Sequence, residues 1–214
     1  MDEDISIIDT RTRNEKIKNF FIKNKKKIII SIFVIILAIF GYFIYEDFNK
    51  KSKIKLANRY NIAKMNFISG NKAMVENELL SIVHAKDRTY SPLALYFLID
   101  NNIIDDNKKI NELFDTVINE TSLEKEIKNL LIYKKALFNS DFESENNLLT
   151  ILKPIINSNS IWKSHALYLM AEYFYFKNEK QKSKDFFDQI ITLENVNSKI
   201  KREAQKRLNR DFSE

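Results

Sequence analysis

Apolar positions are spread along this chain in two ways. From Ile28 to Tyr45 they are continuous: Ile-Ile-Ile-Ser-Ile-Phe-Val-Ile-Ile-Leu-Ala-Ile-Phe-Gly-Tyr-Phe-Ile-Tyr, with no charged residue and Ser31 as the one clearly polar side chain. Elsewhere they recur at three- to four-residue steps among Lys, Glu, Asn and Asp, the period of amphipathic helices. A hydrocarbon core about 30 Å thick, crossed at about 1.5 Å per residue, takes about 20 apolar residues, with a usual range of about 17–25. The continuous run therefore predicts a transmembrane helix over 28–45. Tyr42 and Tyr45 sit at its C-terminal edge, where amphipathic rings favour the headgroup layer. A core helix apolar all round would need an enclosing domain of comparable apolar density, which the rest of the chain lacks. A cleaved signal peptide would need a small-residue site after the run. Glu46-Asp47-Phe48-Asn49-Lys50-Lys51 offers none, so a retained anchor is expected.

The flanks set direction. Lys25, Lys26 and Lys27 abut the N-terminal edge of the run, behind Arg11, Arg13, Lys16, Lys18 and Lys23. Lys and Arg close to a span stay on the cytoplasmic side. The expectation is a cytoplasmic basic tail over 1–27 and a large part over 46–214 on the far side. Within the tail, Met1–Asn14 lacks apolar periodicity and reads as flexible. Glu15–Lys27 carries Ile17, Phe20 and Phe21 at helical spacing among lysines, an amphipathic basic approach to the bilayer.

Past the span the periodicity predicts helix after helix. Glu46–Ser69 carries Leu56, Tyr60, Ala63 and Phe67, and stops at Gly70-Asn71. Then come Lys72–Ala85, Thr89–Ile104 with Thr89 near the N-cap and Pro92 in the first turn, and Lys109–Ile118. Thr121-Ser122-Leu123-Glu124 has the spacing of a capping box and opens a fifth helix. Glu143–Ile156 is interrupted by Pro154 near its end. Ser160–Lys177, Lys180–Leu193 and a polar Ser198–Arg210 complete the series. The helices fall into pairs starting near Lys55, Thr89, Thr121 and Ser160, a spacing in the mid-thirties. That is the period of tetratricopeptide repeats, whose unit is a helix–turn–helix of about 34 residues. Leu167, Ala171, Phe174, Ser183, Phe187 and Ile190 follow the repeat's large, small and aromatic order, and Ala63 and Ala136 would serve similarly elsewhere. The expected fold class is all-α: one N-terminal transmembrane helix, then a tetratricopeptide-repeat-like α-solenoid with a polar capping helix. A generic helical bundle is the alternative.

Composition sharpens this. Gly and Pro number 2 each, too few for the turns of a strand-rich fold, and Cys is absent. Thiolate catalysis, disulfides and Cys-based metal sites are thereby excluded. Net charge is +6, but much of the excess lies beside the span. There it matches anionic lipid better than nucleic acid.

Candidate chemistry is sparse. His165 has no carboxylate or second His at i±3 or i±4. His84 has only Asp87, short of the three or four ligands zinc requires, and Asp87 fits better as a helix end or cap. Two isolated glycines cannot build a phosphate loop. Asp105-Asp106 and Asp185/Asp188 read as caps or solvated faces rather than acid–base pairs. No catalytic, cofactor or metal residue is expected, and no small-molecule substrate. Trp162, the only tryptophan, fits the core of the last pair. With Tyr168 and Tyr175 it is also a candidate partner-binding residue, because Tyr168, Tyr173, Phe174, Tyr175 and Phe176 exceed what one helix face needs.

The whole resembles the YfgM-like family of bacterial inner-membrane proteins, the ancillary subunit of the SecYEG translocon. The resemblance is carried by Ile17-Lys18-Asn19-Phe20-Phe21-Ile22-Lys23-Asn24-Lys25-Lys26, Gly41-Tyr42-Phe43-Ile44-Tyr45, Thr89-Tyr90-Ser91-Pro92-Leu93-Ala94 and Ile161-Trp162-Lys163-Ser164-His165-Ala166. The repeat region here departs from the family in having bulky Ile, Phe and Tyr where Ala is usual. The resemblance implies a periplasmic repeat domain on an inner-membrane anchor, in contact with the translocon and with periplasmic chaperones. The residues alone support a non-enzymatic scaffold. They leave open an envelope-assembly or cell-division adaptor without translocon contact.

Overall fold

The computed structural model describes residues 2–194 and 196–212, with side chains from Glu15 onward. Among the described residues it holds nine α-helices and no strand: α1 (Asp2–Ile68), α2 (Lys72–His84), α3 (Tyr90–Asp100), α4 (Asn107–Glu120), α5 (Lys125–Asn139), α6 (Glu145–Ile156), α7 (Lys163–Phe176), α8 (Lys180–Thr192) and α9 (Ser198–Asp211). The chain divides into two compact units, Met1–Lys55 and Leu56–Glu214.

In the first unit α1 is long and apolar enough to cross a membrane, with a mean hydropathy of 2.8 over its most apolar stretch. Every residue of 29–45 is exposed. The polar segment expected as a flexible tail is instead helical from Asp2. No Gly or Pro precedes Gly41, and once nucleated a helix extends cheaply through residues that do not break it.

In the second unit, consecutive helices from α2 to α9 pack on one another, and α2 also meets α4, α5 meets α7, and α7 meets α9. The last turns of α1 join through Tyr60, whose ring meets Tyr90 at 6.1 Å and Phe97 at 6.2 Å. One apolar cluster runs from Leu56 through Leu79, Leu95, Phe114, Leu131 and Leu152 to Phe174. A second joins Leu167, Ala171, Phe187, Ile190 and Ala204. The small residues expected at close approaches are wholly buried or nearly so: Ala63 at 1%, and Ala136, Ala171 and Ser183 at 0%. The Ser183 hydroxyl donates to the Ala171 carbonyl at 2.8 Å and so fastens α8 to α7. Ser91 does the same between α3 and α2, donating to the Ile82 carbonyl at 2.9 Å.

Three helices end alike. Gly70, Asn102 and Asn178 take positive φ, of 86°, 48° and 62°. The next residue's N–H then reaches back five positions: Asn71 to Asn66, Ile103 to Leu98 and Glu179 to Phe174. This six-to-one bond is the Schellman stop, whose left-handed residue is usually glycine and sometimes asparagine. A chain with two glycines can thus still turn sharply.

Some local expectations are corrected. Thr121 forms no capping box. It ends α4, its hydroxyl is buried without a partner, and Glu124 occupies the N-cap of α5 without a side-chain bond. A turn closed by Leu123 N–H on the Thr121 carbonyl at 2.9 Å takes the backbone out of capping geometry. Thr89 is at the N-cap of α3, but the cap is Asp87, whose Oδ1 accepts from Thr89 N at 2.8 Å and Tyr90 N at 2.7 Å. A carboxylate suits the positive end of a helix better than a hydroxyl does. Pro154 does not interrupt α6, which continues to Ile156.

Candidate functional site

α5 and the start of α7 bring three half-buried rings together, those of Tyr133, Trp162 and His165. Glu126 on α5 fixes the start of α7: its Oε2 accepts from the Ser160 hydroxyl at 2.7 Å and from Ile161 N at 3.3 Å. Trp162 N donates in turn to Ser160 Oγ at 3.1 Å. Held this way, the Trp162 ring stacks on Tyr133 at 6.0 Å and 18°, and lies 5.1 Å from the His165 ring. Tyr133 and His165 meet edge-on at 5.9 Å. Lys134 Nζ, from α5, approaches the ring of Tyr96 on α3 at 5.8 Å. Beside the group Ile161 is 65% exposed.

Burial sets the electrostatics. It pushes Tyr96 up to about 12, with the Asp100 charge adding to it, and the Tyr96 hydroxyl has no partner. Burial also raises Tyr133. It lowers His165, while the Ile161 carbonyl one turn back pulls the other way without forming a well-aligned bond to Nδ1. The arrangement is a stacked Tyr133–Trp162 pair with His165 set across its edge, half-buried beside the exposed Ile161. Such a group suits apolar or aromatic side chains of a partner.

Tyr168 and Tyr175 lie elsewhere, under α9. Tyr168 meets the Phe187 ring edge-on at 5.5 Å, and is pushed up to about 12 by burial and the Glu172 charge. The Arg207 guanidinium sits 4.2 Å over Tyr175 and binds Glu172 through two hydrogen bonds of 2.8 Å. Asp211 holds the remaining face of Arg207. The structure thus separates Trp162 from the two tyrosines: Trp162 belongs with Tyr133 and His165, and the tyrosines help seat the last helix. Tyr133 and Arg207 were not singled out from the sequence. Tyr133 pairs with a residue from the next helix pair, so no local spacing marks it.

Acidic pairs are engaged locally. Asp106 caps α4 through Lys108 N and Lys109 N, Asp185 accepts from Gln181, and Asp188 pairs with Lys184. Among the described residues no group of three or more His, Asp or Glu could hold a metal ion. In the first unit Lys25, Lys26, Lys27, Tyr42 and Tyr45 are all exposed. No family model, curated protein or solved structure matches the chain.

Proposed function

We propose that the protein is a single-span, non-enzymatic scaffold of the bacterial inner membrane. Its N-terminus would be cytoplasmic and its helical part periplasmic, arranged as a tetratricopeptide-repeat-like solenoid that binds other proteins. The observation that supports the repeat part of this reading is a set of polar links between residues 33 to 37 positions apart. Lys109 bonds Glu76, Ser160 bonds Glu126, Arg207 bonds Glu172 and Lys182 bonds Glu145, across 33, 34, 35 and 37 residues. Each link joins an element to its counterpart about one repeat period away, as expected when helix pairs stack in register.

Within that reading the partners are the SecYEG translocon and periplasmic chaperones, supported by the YfgM-like segments around Ile17, Gly41, Thr89 and Ile161. The anchor would supply high local concentration, so modest contacts through Trp162 and its neighbours suffice. Affinity purification of the full chain from solubilised membranes tests this. Recovery of translocon subunits, reduced by Trp162→Ala, is the expected result. Recovery of envelope-assembly or division proteins alone would favour the adaptor reading instead. Reporter fusions after Tyr45 and before Lys16 should report opposite sides, the later one outside.

A further inference from the structure

The two flanks of the apolar run differ in how their lysines are matched. No Asp or Glu occurs between Glu15 and Glu46. Lys23, Lys25, Lys26 and Lys27 therefore lie on a helical stretch with no acidic neighbour within four residues. On the other flank Glu46 and Asp47 precede Lys50 and Lys51, and Lys51 is paired with Asp47 at 2.8 Å. At about 100° per residue, Lys25 projects to one side of the Ile17–Phe21–Asn24–Ile28 stripe, Lys23 and Lys27 to the other, and Lys26 opposite it. The four ammonium groups cover the broad arc of the helix that faces away from that stripe. Lys23 is about 7 Å before Ile28 along the axis, and the headgroup layer is about 5–8 Å thick on each side of the hydrocarbon. The arc of lysines fits within that layer.

From this placement we infer that Lys23, Lys25, Lys26 and Lys27 form a binding site for anionic phospholipid headgroups, confined to the leaflet on the N-terminal side of the span. The inference rests on reading α1 as membrane-spanning. Charge complementarity selects the occupant. A second copy docked through the same stripe would set lysines of one chain against lysines of the other, a repulsive arrangement. Phosphodiester headgroups are free to gather along that arc, and each lysine in the layer favours them by roughly five-fold.

The test uses the full chain in phosphatidylcholine vesicles containing about one-fifth phosphatidylglycerol, with spin-labelled lipids reporting the association of each with the protein. Wild type should prefer phosphatidylglycerol several-fold, and the preference should fall as salt rises from about 0.05 to 0.5 M, where the screening length contracts to a few ångströms. K23Q/K25Q/K26Q/K27Q should lose it, the corresponding four-fold Lys→Arg variant should keep it, and K50Q/K51Q should keep most of it. Retention by the glutamine variant, or equal loss in K50Q/K51Q, would overturn the proposal. So would displacement by millimolar inorganic phosphate, which would mark a free-anion site. Should the glutamine variant not insert, an absent or salt-insensitive preference in the wild type overturns the proposal equally. Carbonate extraction separates the two failures: removal of the wild type from vesicles would defeat the membrane-spanning reading itself.

Discussion

The α8–α9 end of the second unit and its α1–α2 end are built from the same kind of helix, yet among the described residues of that unit only the α8–α9 end is covered by a further helix. At the α8–α9 end, Phe187, Ile190, Leu167 and Ala171 are buried against Ala204, with Ile200, Leu208 and Phe212 packed alongside. Arg207 reaches across to Glu172 and Tyr175, and the outward side of α9 shows Lys199, Arg202, Gln205 and Lys206 to solvent. At the α1–α2 end, among the described residues of this unit, no further helix packs over the groove beside Ala63 and Val75. That groove, of about 440 Å³, is edged by Ile62 and Met74, which are 55% and 58% exposed. Amphipathic helices packed in succession leave an apolar face at each end unless something polar covers it. The difference separates side chains that hold the fold from side chains that the fold leaves free, and substitutions at the two ends should therefore differ widely in cost.

The largest effect is expected at Phe187, wholly buried between Tyr168 and Phe212. Phe187→Ala should destabilise by about 3–5 kcal/mol, the range for removing a buried ring without collapse of the site. That is a large part of the roughly 5–15 kcal/mol that holds a typical domain. Guanidinium unfolding of the full chain in detergent, followed by the fluorescence of Trp162, measures it. A loss below about 1 kcal/mol would mean that the two ends are equally loose.

Next comes Ala171, where α7 and α8 touch through the Ser183 hydroxyl. Ala171→Leu adds volume with nowhere to go and should cost about 1–3 kcal/mol. Lys180→Ala, on the exposed start of α8, should stay within about 0.5 kcal/mol. Equal effects would break the register that places Ala171 at a close approach.

The sequence made the helices legible because nothing obscured the period. Apolar residues at three- to four-residue steps placed α2, α4, α8 and α9 within about two residues, and the small residues Ala63, Ala136, Ala171 and Ser183 marked the close contacts. Local chemistry was less legible where competing groups decide the outcome. Thr121 and Glu124 have capping-box spacing, but burial of the threonine hydroxyl won. The left-handed stops at Asn102 and Asn178 hid in a chain rich in asparagine, where most copies have ordinary roles. The Tyr133–Trp162–His165 group was illegible for a different reason. It forms only when α5 and α7 are packed, and a separation of about thirty residues carries no periodic mark.

A smaller effect links stability to pH through α7, the helix that α9 covers. Burial holds His165 below its ordinary value of 6.5. The folded chain therefore takes that proton less readily than the unfolded chain does. Its contribution is fully present above pH 6.5 and is lost as pH falls through the lowered folded-state value. The melting temperature should drop on acidification through this window, and His165→Gln should make the profile flatter. An unchanged profile in the variant would remove His165 from the account and leave acid sensitivity to other groups.

The smallest effect on stability is expected at the open end. Ile62 and Met74 keep more than half of their surface in water, so replacing them with serine removes little buried apolar area, at about 25 cal/mol per Å². Ile62→Ser combined with Met74→Ser should shift unfolding by no more than about 0.5 kcal/mol, as for ordinary surface positions. The neighbouring pair Arg59–Glu78, at 2.5 Å and about one-third exposed on each side chain, is untouched by the change. The measurement is the same guanidinium titration used for Phe187, so the two ends are read on one scale. A loss of 2 kcal/mol or more, well above the surface range, would show that Ile62 and Met74 are covered in the full-length protein. The contrast between a closed and an open end would then fail, because the apparent opening would be filled by something that folds with the chain.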